Sequence, residues 1–179
     1  ISKRTCIIIL ELPGCVESAL VGLVVDRHGG AWGQPLVSLW AWGVCGLLMW
    51  RERAWRPRLV ACLVIATAGE LVLSLVWGLY DYRLGNLPLF VPPGHVLLYW
   101  LGLKLSDRLP ARLFRTVPWL ALAAVSALAV ARLDWLGPPL CLIFLLCMRW
   151  GPSPRLYVTM FLLFAAHGVV GHLVGQLEL

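Results

Sequence analysis

Apolar runs of 14 to 21 residues cover most of the chain, separated by short charged or Gly/Pro-containing breaks. A helix of about 20 apolar residues spans the hydrocarbon core of a bilayer, roughly 30 Å thick. The pattern therefore predicts seven helices, over residues 6–25, 33–50, 59–79, 88–103, 117–131, 135–148 and 156–176. The first carries Glu11, Pro13, Gly14 and Glu17 and is expected to kink. The fourth and sixth are short for a full span and are expected to tilt less or to be partly re-entrant. The run over 6–25 is too long and too polar for a signal-peptide core, and no A-x-A-like site follows it, so it reads as a retained helix. The expected fold is an all-α polytopic transmembrane bundle, a single domain over 1–179.

The basic residues test this division. Lys3 and Arg4 precede the first helix and Arg27 follows it. Arg51, Arg53, Arg56 and Arg58 follow the second, and Arg83 follows the third. Lys104, Arg108, Arg112 and Arg115 follow the fourth, and Arg132 follows the fifth. Arg149 and Arg155 follow the sixth, and none follows the seventh. The series 2, 1, 4, 1, 4, 1, 2, 0 alternates as the positive-inside rule requires for seven spans with a cytoplasmic amino terminus and an external carboxyl terminus. The expected location is a bacterial plasma membrane, multi-pass.

Composition agrees. The chain is 60% apolar and 13% charged, against about 45–50% and about 25% in soluble domains. That excludes a disordered chain, a disulfide-stapled secreted domain and an ordinary cytosolic enzyme, and 179 residues leave no room for a second, soluble domain beside seven helices. The net charge of +6 is accounted for by the loops rather than by a nucleic-acid surface, so no nucleic-acid partner is expected. Cys6, Cys15, Cys45, Cys62, Cys141 and Cys147 form no C-x-x-C pair and lie in apolar runs, where they read as small buried apolar residues. Of ten tryptophans, Trp32, Trp50, Trp55, Trp77, Trp135 and Trp150 fall at or near predicted helix ends, as an interfacial belt requires. No internal repeat is present, which argues against an inverted-repeat transporter.

Ionisable residues inside a span are costly and mark candidate sites. At about 1.5 Å per residue from the outer end of each helix, Glu17 lies roughly 12 Å deep and Glu70 roughly 13 Å. On the same scale His95 lies roughly 10 Å deep, His167 roughly 13 Å and His172 roughly 6 Å. Four helices thus bring Glu17, Glu70, His95 and His167 to nearly one level. Two carboxylates and two imidazoles suit a divalent cofactor metal such as zinc. A buried Glu beside a His equally suits proton transfer, and a purely structural pairing would lock the bundle. The spacing from His167 to His172 is five residues, not the four that stacks two groups on one face, so His172 is secondary.

The stretch from Trp77 to His95 is the densest polar and aromatic group, with Tyr80, Asp81, Tyr82 and Asn86 before Pro92, Pro93 and Gly94. The two prolines interrupt a helix start and free backbone groups for a ligand. Glu70, then Gly78-Leu79-Tyr80-Asp81-Tyr82, Leu84-Gly85 and Val91-Pro92, resembles the carotenoid-biosynthesis membrane proteins, the family that includes carotenoid hydratases. The resemblance covers about 30 residues and implies acid-catalysed addition of water to an isoprenoid double bond. Glu70 would deliver the proton, and Tyr80, Tyr82 and tryptophan faces would stabilise the developing cation.

The leading expectation is a membrane enzyme, a lyase or hydratase or a metal-dependent enzyme, acting on a lipid or isoprenoid. The partners expected are membrane lipids or a hydrophobic small molecule. The alternative is a non-catalytic subunit of a larger membrane complex with membrane-protein partners, and the third is a proton-coupled transporter.

Overall fold

A computed structural model describes residues 30–76, 88–131 and 136–173. Among them are six helices and no strand. They are α1 (Gly30–Arg51), α2 (Arg56–Glu70), α3 (Val91–Leu105), α4 (Ala111–Val130), α5 (Gly137–Trp150) and α6 (Pro154–Leu173), with α2 running on as a π-helix over Leu71–Val76. The helix expected over 6–25 lies outside the described residues. Each of the other six expected ranges overlaps one of these helices.

Proline and charge set the boundaries. Pro57 opens α2, Pro110 caps α4, Pro138 and Pro139 open α5, and Pro154 opens α6. A first-turn proline loses no hydrogen bond and its fixed φ is already helical. Arg51, Lys104 and Arg149 sit in the last turns of α1, α3 and α5, where a cation complements the helix dipole.

Among the described residues, two helical stretches are long and apolar enough to cross a membrane, Arg56–Ser74 and Ala111–Val130. At 14 residues α5 covers about 21 Å, short of a bilayer core of roughly 30 Å. Helix α1 has the length, 22 residues, but Gln34, Pro35, Ser38 and its glycines and tryptophans dilute it.

Residue contacts divide the chain into two units, one of residues 1–101 and 166–179, the other of residues 102–165. The first buries one stripe of α1 (Val37, Ala41, Cys45), Leu59 of α2, and Val96, Leu97 and Trp100 of α3. The four-residue spacing on α1 is the period of a single helix face. The second buries Val117 and Ala121 of α4, Cys141 of α5, and Val158 and Thr159 of α6. There Phe144 stacks on Phe161 with centroids 4.9 Å apart, and the Arg155 guanidinium lies 5.5 Å from the Phe114 ring centre.

Several helical hydroxyls are satisfied locally. Ser38, Thr67, Thr116 and Thr159 each donate to the carbonyl four residues back, at 2.7, 2.6, 3.2 and 2.8 Å. Such back-bonding needs no water.

Two glycines of the second unit are tight for different reasons. A Cβ on Gly102 would meet Met160 Sδ, a flexible side chain that can swing aside. A Cβ on Gly151 would meet the backbone carbonyl of Cys147 and the Tyr157 ring. That carbonyl already accepts from Gly151 N–H at 2.8 Å and cannot retreat without unwinding the end of α5. Gly151→Ala is expected to cost about 1–3 kcal/mol by forced overpacking, and Gly102→Ala less. Thermal unfolding in detergent, followed by tryptophan fluorescence, measures the difference.

Candidate functional site

The first unit brings together the two central residues of the predicted layer. Glu70 is the last α-helical residue of α2, and His95 lies in the first turns of α3. Pairings along the two helices run in opposite order. Trp55 meets Trp100 edge-on at 6.0 Å, Cys62 Sγ lies 3.9 Å from the His95 carbonyl, and Glu70 meets the His95 ring. The helices are therefore antiparallel here. Helical side chains lean toward their own amino terminus, so the His95 ring reaches from α3 toward the level of Glu70.

The prolines fix where α3 begins. A helix carbonyl is normally met by the N–H four residues on. For Pro88 and Leu89 those residues are Pro92 and Pro93, which have none. The Pro88 carbonyl instead accepts from Val91 N–H at 3.1 Å, in a tighter turn. The Leu89 carbonyl accepts the Trp42 indole N–H of α1 at 2.9 Å. These two freed carbonyls, expected to be available to a ligand, are thus met within the protein. Trp42 ties α1 to the head of α3 one and a half turns before His95.

The ring of His95 is oriented by its own helix. Its Nδ1 lies 3.0 Å from the Val91 carbonyl. A carbonyl only accepts, so this bond places a proton on Nδ1 and directs Nε2 away from the backbone. Nε2 lies 3.5 Å from Glu70 Oε1. Two arrangements suit that contact: a carboxylic acid facing a neutral imidazole, or a carboxylate facing an imidazolium. They differ by the position of one proton. The side chains are 23% and 13% exposed, so the pair is sheltered without being sealed.

The backbone changes character at Glu70. The Leu71 N–H is shared between the Thr67 and Ala68 carbonyls, and the π-helix begins there. π-Helical turns are uncommon and recur at functional sites.

The other expected residues are placed as follows. Glu17, Tyr80, Asp81, Tyr82 and Asn86 lie outside the described residues. His167 and His172 lie in the last turns of α6, with side chains outside the described set. Among the described residues no three His, Cys, Asp or Glu side chains gather as a metal centre requires. Glu70 and His95 supply two such groups. Sequence reasoning missed Trp42 and Cys62. The prolines signal that a carbonyl near Leu89 needs an outside donor, but with ten tryptophans in the chain they do not say which one.

No family model matches the chain, and neither a curated protein nor a solved structure is found to match it.

Trp42→Phe keeps the apolar ring and removes the donor to Leu89. It is expected to lower stability by about 1 kcal/mol. Trp32→Phe, on the same helix and largely exposed, serves as the control. Chemical unfolding of both variants in detergent tests the assignment.

Proposed function

We propose that the chain is an integral, multi-pass membrane protein in which Glu70 and His95 form a proton-transfer pair acting on an apolar, isoprenoid-type substrate. The membrane reading is supported by two spans that are apolar and yet outward-facing: 6% of Arg56–Ser74 and 11% of Ala111–Val130 are buried. An apolar helix at the heart of a soluble protein would be mostly covered, and large exposed apolar surface marks a membrane or partner face. The alternating basic loops extend this to seven spans with the amino terminus in the cytoplasm.

The observation that carries the chemical reading is the 3.5 Å approach of His95 Nε2 to Glu70 Oε1 across two helices. In an addition of water to a carbon–carbon double bond, Glu70 would deliver its proton to one alkene carbon. Water would bond to the resulting cation at the other carbon, and its surplus proton would pass to His95 Nε2. Transfer from His95 back to Glu70 would restore the starting state. Alkene and water are consumed, one alcohol forms, and no oxidant or reductant is needed. The resemblance over Glu70 to Pro92 supports the substrate class.

The purified chain in lipid vesicles, supplied with a linear isoprenoid polyene in ¹⁸O-water, is expected to give ¹⁸O-labelled alcohol. Glu70→Gln keeps the side-chain shape but has no acidic proton, and is expected to reduce product by at least about a hundredfold, the scale of a general acid–base contribution. Unchanged turnover in folded, inserted Glu70→Gln protein would remove the assignment.

One observation favours the second reading, a subunit of a larger complex. Leu36, Leu39, Trp40, Gly43, Val44 and Leu47 line an open apolar groove along α1 of about 450 Å³. Mild-detergent purification separates the readings: a fixed partner set supports the subunit, and an active solitary chain supports the enzyme.

A further inference from the structure

We infer that the corner between α1 and α2 binds the phosphate headgroup of an anionic lipid. This rests on the membrane reading above, but not on the chemistry assigned to Glu70 and His95. Arg51 ends α1, Arg53 lies in the connection, and Arg56 and Arg58 lie in the first turn of α2. All four are exposed, and Glu52 is the one acid among them. Among the described residues no ion pair joins a carboxylate to Arg53, Arg56 or Arg58. Arg53, Arg56 and Arg58 therefore carry positive charge that no described carboxylate neutralises.

Two of the guanidinium groups are held in place. Arg56 Nε donates to the Met49 carbonyl at 3.0 Å, which caps the end of α1 and lays the side chain across it. That bond uses one of five N–H donors and leaves the terminal fork unspent. The Arg58 guanidinium stacks 4.7 Å from the Trp55 ring centre, and Trp55 is itself braced edge-on by Trp100. Orienting these forks in advance lowers the entropy lost when an anion binds.

The first N–H groups of α2 do not compete for that anion. At the start of α2 the N–H groups of Trp55, Arg56, Arg58 and Leu59 already donate to the carbonyls of Glu52, Arg53, Trp55 and Trp55. Pro57 has no N–H to offer. The ligand is thus met by guanidinium groups, whose planar forks match phosphate oxygens.

A lipid is favoured over a soluble phosphate by what adjoins the charge. Trp50 is exposed beside the arginines, and Val60, Val64 and Ile65 continue down α2 as exposed apolar surface. Headgroup charge, interfacial indole and acyl-chain surface thus adjoin one another at the α1–α2 corner. Basic clusters at the cytoplasmic end of a span attract anionic lipid at about 1 kcal/mol per residue, or about fivefold each.

The test is native mass spectrometry of the full chain released from nanodiscs of equal phosphatidylglycerol and phosphatidylcholine. The wild-type chain is expected to retain phosphatidylglycerol preferentially. Arg53→Gln/Arg56→Gln/Arg58→Gln is expected to reduce that preference on the order of a hundredfold. The corresponding triple Lys variant keeps the charge and is expected to stay within about fivefold of wild type. A Gln variant as selective as wild type overturns the site, as does displacement of the lipid by an equal concentration of inorganic phosphate. Carbonate extraction from vesicles tests the membrane reading separately. A chain stripped from the bilayer overturns both, whereas an embedded chain with no anionic preference overturns the headgroup site alone.

Discussion

Two adjacent prolines at the head of α3 take away the donors that its first carbonyls would use. The arrangement of the first unit follows from how that loss is repaired. Val91 turns back to Pro88, and an indole from α1 reaches the Leu89 carbonyl. Once α3 is held at that point, its register against α2 places Trp100 by Trp55 and Cys62 by the His95 carbonyl. His95 then has Glu70 within reach. The contact between Glu70 and His95 is the downstream result of where a backbone hydrogen bond could not form.

The same rule operates without prolines elsewhere. Ser38, Thr67, Thr116 and Thr159 return their hydroxyls to their own helices. Arg56 meets a carbonyl at the end of α1 that its own helix leaves open. Polar groups are matched over short distances, which suits elements whose outward surface is largely apolar.

Much of the helical pattern was legible in the sequence because charge and proline punctuate it. Arg51 to Arg58, Lys104 to Arg115 and Arg149 to Arg155 each mark a boundary that the structure also uses. The pairing of Glu70 with His95 was legible in one dimension only. Counting residues from a helix end gives depth, and depth put both groups at one level. Whether two groups at one level face each other depends on the rotation of each helix about its axis. That rotation is set by packing and by the Trp42 bond, neither of which has a local sequence signal. The π-helix after Glu70 was hidden for the same reason: Leu71–Val76 is an ordinary apolar run, and its wider turn depends on its surroundings. The short helix α5 illustrates the opposite limit, where the apolar run is plain but its reach across a bilayer is set by geometry.

The π-helical stretch has a consequence for how the span tolerates change. A wider turn holds one residue more than an α-helical turn would, so it changes the angular phase at the carboxyl end of the described helix. The face that carries Leu59, Cys62 and Glu70 and the face continued by Leu71–Val76 need not share one rotational setting. Substitution within Leu71–Val76 can be absorbed by winding or unwinding that turn, while Glu70 stays aimed at α3. The described helix is thus divided into Arg56–Glu70, which sets the aim of Glu70, and Leu71–Val76, which winds on its own period.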